Sequence, residues 1–322
     1  MNHRFQRVAI IGAGLVGAGW AIVFARAGQA VSIYDAQYAA RASVLDWIAD
    51  SLSEMERCGL IRDVPGIMAR ITVAGSLEDA VGEADYIQES VFERVDVKRE
   101  ISHAIGAAMR ADAIVGSSSS GIPASEFTSN VAKRERFIVA HPVNPPHLIP
   151  LVEIVPAPWT DPSIAPMLRD FMESAGQKPI VLSREIAGFV LNRLQGALLN
   201  EAWALFDAGI ATAADIDRSV SDGLGMRWSF MGPFETIDLN APGGVTDYAE
   251  RLGDLYHSIA MDRQHPERWS PDLVARVAAE RRRALPLEDL SGRCGWRDKM
   301  LMALTAHRTT SHEGDNAKPD IT

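Results

Sequence analysis

Residues 8–35 read VAIIGAGLVGAGWAIVFARAGQAVSIYD. From Val8 to Ala25 no residue is charged, and Arg4 and Arg7 precede the run, so taken alone it resembles an export signal or a membrane span. The glycines decide otherwise. Gly12-Ala13-Gly14-Leu15-Val16-Gly17 follows a short β-branched run and opens a helical pattern. In such a turn the first glycine permits the tight bend and the second lets a pyrophosphate approach the backbone. The third lets helix and strand pack closely, and the helix amino terminus faces the phosphates. The next β-branched run, VSIY (31–34), ends at Asp35, placed to accept hydrogen bonds from an adenosine ribose. A carboxylate there repels a 2′-phosphate, and the first arginine after it is Arg41, so NAD is expected rather than NADP. FAD uses the same fingerprint.

Outward from this stretch, the first half alternates short strands with helical segments. VAII (8–11), VSIY, ITVA (71–74), YIQE (86–89), AIVG (113–116), FIVA (137–140), LVEIV (151–155) and PIVL (179–182) read as strands. The first six form the pattern of a mostly parallel sheet covered on both faces; the last two belong at an edge. After about Ser183 the texture turns helical: REIAGFVLNRLQGALLNEAWALFDAGIA reads as one long helix and further helices follow. The expected fold class is therefore α/β, with a Rossmann-like domain over 1–184, an all-α domain over 185–307, and a tail over 308–322 without apolar pattern, expected to be disordered.

The chain has 322 residues, 23% of them charged and 47% hydrophobic, as in a soluble globular protein. Its net charge of −10 argues against a nucleic-acid partner. Cys58 and Cys294 lie far apart, and no HExxH stretch or cysteine pair suggests a metal. A cytoplasmic location is expected.

In a parallel sheet, ligands sit beyond the carboxyl ends of the strands. Those ends carry Glu89, Ser90 and Glu93, then Ser117 to Ser120, then His141. Each admits a bland reading: a serine run caps helices, and a histidine can be a core hydrogen-bonding group. Glu153, inside the apolar run LVEIV, is harder to dismiss, because a buried carboxylate needs a partner. HPVNPPHLIPLVE (141–153) supplies one at its other end. Glu153 would orient the His141 imidazole while its far nitrogen takes a proton from a substrate hydroxyl, with hydride leaving the same carbon for a nicotinamide. A serine hydroxyl and the Asn192 amide could hold the substrate oxygen, though an asparagine there serves equally as an interhelix hydrogen-bonding group.

GAGLVGAGWA, QES, SSSS, HPVNP, PLVEIV, GFVLNRL and GPFE occur in the order seen in the 3-hydroxyacyl-CoA dehydrogenase superfamily, and the chain resembles it to about residue 305. The resemblance implies an NAD-dependent oxidoreductase whose helical domain makes a homodimer. It implies His141 as general base, Glu153 as its partner, and Ser120 and Asn192 as contacts of the substrate oxygen. Gly12, Gly14, Leu15, Val16, Gly17 and Asp35 would then hold the cofactor, with Glu93, Lys98 and Asn144 near the nicotinamide ribose or the catalytic histidine.

IVAHPVNPPHLIPLVEIVP, GLGMRWSFMGPFETIDLNA and WRDKMLMAL look most like the branch that contains λ-crystallin, whose activity is L-gulonate 3-dehydrogenation. Members acting on acyl-CoA lack the MRWSFM insertion (226–231), which brings Arg227 as a fork for a free carboxylate. Gly121 and the all-serine run depart from that branch and leave the sugar acid open. Oxidation of L-gulonate to 3-dehydro-L-gulonate is therefore the leading expectation. Alternatives are L-carnitine 3-dehydrogenation, where Trp228 and Phe230 would enclose a quaternary ammonium, and short-chain 3-hydroxyacyl-CoA dehydrogenation. A crystallin-like structural role without catalysis would not require Ser120, His141, Glu153 and Asn192 together.

Overall fold

The computed structural model describes residues 5–265 and 267–315, with side chains through residue 308. Its strands are β1 (Arg7–Ile11), β2 (Ala30–Tyr34), β3 (Ile71–Val73), β4 (Tyr86–Glu89), β5 (Ile114–Ser117), β6 (Phe137–Pro142), β7 (Leu151–Pro156) and β8 (Lys178–Val181). They form an 8-stranded sheet in the order β3-β2-β1-β4-β5-β6-β7-β8. The first six strands run parallel, β7 is antiparallel to β6, and β8 is parallel to β7. Every residue of β4, β5 and β6 is buried, so these strands open on apolar residues without alternation and carry buried polar groups only toward their carboxyl ends. β8 is the outermost strand and is mostly exposed.

The chain leaves β1 toward β2 and β3 and then returns to β4 on the other side, so the direction of winding reverses between β1 and β4. Ligands of doubly wound sheets sit outside the strand ends at such a point. The register makes it specific: Ile11 is level with Tyr34 and with Glu89, and Glu89 with Ser117. The residues that follow, Gly12, Asp35, Ser90 and Ser118, therefore share one edge.

The uncharged run after the glycine turn is the helix Leu15–Arg26, buried from Gly17 to Ala25. Trp20 stacks on Phe24 at 5.2 Å and Phe24 on Phe171 at 5.4 Å, with the Tyr86 ring edge-on to Phe24. This aromatic core explains the missing charges. Among the described residues no helix is long and apolar enough to cross a membrane.

The chain divides into two compact units, one of Met1–Arg193 with Cys294–Thr322 and one of Leu194–Arg293. The second is helical: Ala213–Arg218, Gly225–Trp228, Pro233–Leu239, Gly244–Met261 and Pro271–Ala284 lie within it. Thr212 and Ser270 accept the third-residue amides at two of these starts, the ordinary N-cap chemistry. Two expectations need correction. The helix expected from residue 184 begins only at Leu191, because Gly188 (φ +75) and Phe189 (φ +49) turn the chain through left-handed conformations first. The tail expected to lack structure from 308 continues the helix Leu290–Asp315, whose middle buries Met302 in the main core; residues 316–322 lie outside the described residues.

The turn between β6 and β7 packs under the glycine-rich helix. A side chain at Gly19 would meet Pro146 Cδ at 2.8 Å and His147 Nδ1 at 3.1 Å. His147 itself is buried, lies edge-on to Trp47 at 5.8 Å, and its Nδ1 has no hydrogen-bond partner among the described residues. Burial, with a smaller contribution from Arg26 and against the pull of Asp298, lowers its pKa to about 4. The unfolded chain takes up a proton below its ordinary value of 6.5, whereas the native protein does so only near 4. Stability from this group is complete above 6.5 and is lost as pH falls toward 4, by about 3 kcal/mol in full. Urea midpoints of the wild type and of His147→Met at pH 7 and pH 4.5 should show the variant losing about 2 to 3 kcal/mol less. Equal losses would mean that His147 does not titrate this way.

Candidate active site

The glycine turn has the shape that a dinucleotide needs. Gly12 adopts φ +110, and a Cβ there would strike the Ser90 carbonyl at 2.4 Å. One at Gly17 would strike the Gly12 carbonyl at 1.9 Å, while Gly14 faces open space. Gly14 stands at the start of the helix Leu15–Arg26 without any side-chain cap, so the amides of the first turn remain available to an anion. Leu15 is exposed over this turn and Val16 packs inward against the core. The Asp35 carboxylate accepts the Ala13 amide through Oδ2 and the Gln37 amide through Oδ1, both at 2.8 Å. Asp35 thus braces the glycine turn. These residues fit a bound NAD, which would supply the acceptor for a hydride.

His141 and Glu153 are direct cross-strand partners on β6 and β7. His141 Nδ1 lies 2.8 Å from Glu153 Oε2, and Glu153 Oε1 accepts the amides of Val190 at 2.8 Å and Leu191 at 3.0 Å. Burial alone would raise the Glu153 carboxyl, but the bond from His141 and the Leu191 and Val190 amides outweigh it and hold the group below its ordinary value. An ionised Glu153 only accepts, so Nδ1 of a neutral His141 carries the proton and Nε2 is left as the base. The Phe189 ring packs 5.7 Å from the imidazole and is fully buried.

The four serines at the carboxyl end of β5 differ in their commitments. Ser117 donates to Glu89; Ser118 takes Gln88 Nε2 at 2.7 Å and Trp20 Nε1 at 3.2 Å; the Ser119 hydroxyl lies 2.9 Å from Glu93 Oε1 and 2.7 Å from the Ile122 carbonyl, with one proton to give to either. Ser120 alone is exposed, and its hydroxyl makes no hydrogen bond among the described residues. Asn192 Nδ2 donates to the Ser120 carbonyl, tying the start of the helix Leu191–Asp207 to this loop. Glu93 Oε1 accepts the Ser120 amide at 2.8 Å and the Gly121 amide at 3.2 Å.

Behind the loop lies an ion network. Lys98 is fully buried, 3.0 Å and 3.1 Å from the two oxygens of Glu89 and 3.5 Å from Glu93. Glu89 also accepts the Val91 amide at 2.7 Å. A buried lysine needs such partners, and by bridging the two carboxylates it fixes Glu93 against the serine loop. Asn144 is exposed at the cis Asn144–Pro145 bond of the turn. Arg227 stands on the Gly225–Trp228 helix of the second unit.

Two family models match consecutive stretches of the chain: the 3-hydroxyacyl-CoA dehydrogenase NAD-binding domain over residues 7–186, and the C-terminal domain of the same family over 188–282. The chain belongs to the 3-hydroxyacyl-CoA dehydrogenase family. Within the family it is 38% identical to the λ-crystallin homolog of Mus musculus over 304 residues, covering 92% of this chain and 95% of that one. It is 38% identical to the L-carnitine dehydrogenase of Streptomyces griseus over 249 residues, 77% and 74% of the two chains. Among solved structures it resembles 5-formyl-3-hydroxy-2-methylpyridine-4-carboxylic acid 5-dehydrogenase, an NAD-dependent dismutase. That likeness has a TM-score of 0.81 at 26% identity and covers 94% and 97% of the chains. The protein is an NAD-dependent oxidoreductase of this family.

For a dehydrogenase of this family the geometry assigns more than the sequence could. In the sequence Glu93 stood out as a polar residue just beyond a strand end, whereas Lys98 entered only through the resemblance. Sequence reasoning gave no role to Glu89, whose burial at a strand end was the available signal, or to the Val190 and Leu191 amides, which left no signal because backbone groups are anonymous in a sequence. With Glu153 already saturated, a single substitution tests the pair. Glu153→Gln should lower kcat by about a hundredfold or more while NADH affinity, read by fluorescence, stays close to the wild type. Unchanged kcat would remove Glu153 from proton handling.

Proposed function

We propose that this enzyme oxidises the 3-hydroxyl of a small free 3-hydroxy acid, with L-gulonate to 3-dehydro-L-gulonate as the leading reaction. The observation that carries the reading is the buried His141–Glu153 pair, with its Nε2 left as base; the uncommitted hydroxyl of exposed Ser120 supports it. His141 Nε2 takes the hydroxyl proton, Glu153 stabilises the imidazolium, and Ser120 and Asn192 hold the oxygen as it becomes a carbonyl. The free-acid class is supported by the sequence context of Arg227, a bidentate fork for a carboxylate that a thioester lacks, and by the likeness to λ-crystallin homologs over almost the whole chain. A second reading, L-carnitine, is favoured by the Streptomyces relative and by Trp228 and Phe230, both exposed beside Arg227 in sequence.

NADH formation from NAD with L-gulonate, L-carnitine, 3-hydroxybutyrate and 3-hydroxybutyryl-CoA separates these. Turnover of free acids but not of the thioester is expected, with Arg227→Met raising KM for the acid about tenfold or more. Turnover of the thioester alone would overturn the free-acid reading.

The helical unit also implies a partner of the same kind. Among its described residues only Thr236 and Leu273 are buried, while Leu198, Leu199, Leu255 and Ile259 are partly exposed. Helices so poorly covered need another apolar face, and a second copy supplies one. Light scattering should give a mass twice that of the 35.0 kDa chain. A monomer at micromolar concentration would refute the dimer.

A further inference from the structure

Arg41 lies one turn into the helix Tyr38–Arg57, six residues beyond Asp35. Its guanidinium donates to the Asp35 carbonyl oxygen and sits 5.5 Å from the Tyr34 ring centroid and 5.8 Å from that of Tyr38. Among the described residues no carboxylate forms an ion pair with it, although Asp35 is beside it. The Asp35 carboxylate is turned instead to the Ala13 and Gln37 amides. A half-buried cation is thus held by two aromatic rings and one carbonyl at the end of β2. One bond to a carbonyl leaves most of the guanidinium's five donors unused.

We propose that Arg41 is a specificity-determining residue held in reserve, a ready anchor for an adenosine 2′-phosphate, and that the Asp35 carboxylate alone keeps the pocket selective for NAD. This rests on Asp35 facing the adenosine ribose. A 2′-phosphate there would meet the carboxylate first and be repelled; with that charge removed, the same phosphate lies beside a cation whose planar fork matches it. The tyrosines hold the guanidinium in place, so little side-chain freedom is lost on binding.

The test is a two-residue cycle read by binding, with no hydroxy acid present, so its outcome is independent of the substrate assigned above. Dissociation constants of NADH and NADPH, and of 5′-AMP and 2′,5′-ADP, are measured for the wild type, Asp35→Ser, Arg41→Ala and the double variant. Asp35→Ser should raise the preference for the 2′-phosphorylated ligand about a hundredfold, and by about tenfold less when Arg41 is absent. The same gain in both backgrounds would overturn the role of Arg41. Arg41→Ala weakening all four ligands by one factor would assign it to the adenine instead, and would equally overturn the proposal. If Asp35→Ser fails to fold because the Ala13 amide loses its acceptor, Asp35→Asn keeps an acceptor there and is read in the same way. An Asp35 variant that leaves NADH affinity untouched would show that the ribose reading itself fails.

Discussion

Glu153 holds three donors that come from two parts of the chain: the imidazole of His141 across the β6–β7 pair, and the amides of Val190 and Leu191 at the start of the first long helix after the sheet. A carboxylate buried this deeply persists as an anion only when such donors replace water. The same bonds therefore do three things at once. They keep Glu153 charged, they fix which imidazole nitrogen is free, and they place the amino end of the helix that carries Asn192. Antiparallel pairing is what makes this possible, since it sets residues 141 and 153 level with each other after a short proline-rich turn.

The cofactor side is organised by close backbone approach. Gly12 and Gly17 permit contacts in which any side chain would overlap a carbonyl, and Gly19 lets the glycine-rich helix settle onto Pro146 and His147. The turn that joins His141 on β6 to Glu153 on β7 is thereby packed against the glycine-rich helix, so both halves of the candidate site are braced on one element. Lys98 completes the arrangement from behind. By joining Glu89 at the end of β4 to Glu93, it holds the carboxylate that grips the Ser120 and Gly121 amides. Rigid positioning of this sort matters because the reacting hydroxyl must meet a base and a hydride acceptor at fixed distances.

Three of the four serines at the carboxyl end of β5 are consumed by this scaffolding, and only the last has a hydroxyl to spare. The acidic residue after β2 is likewise double-purpose, bracing the glycine turn with its carboxylate while its carbonyl holds Arg41. An arginine at that place, taken in the sequence as too remote to matter, is brought beside Asp35 by one turn of helix.

The sequence by itself determined the α/β class, the glycine turn and the strands to within a residue or two, because these rest on local sterics and on uninterrupted burial of apolar runs. It also carried the His141–Glu153 pairing, since a carboxylate in an apolar strand demands a partner and only a short turn separates the two. Tertiary structure alone decided the rest. Where the helix after residue 184 begins depends on left-handed backbone at Gly188 and Phe189 and on the Val190 and Leu191 amides being captured by Glu153 of β7, neither of which helical periodicity records. The roles of the individual serines, of Glu89 and of Arg41 are set by which groups the folded sheet brings within hydrogen-bonding reach, and reach is a property of space rather than of spacing along the chain.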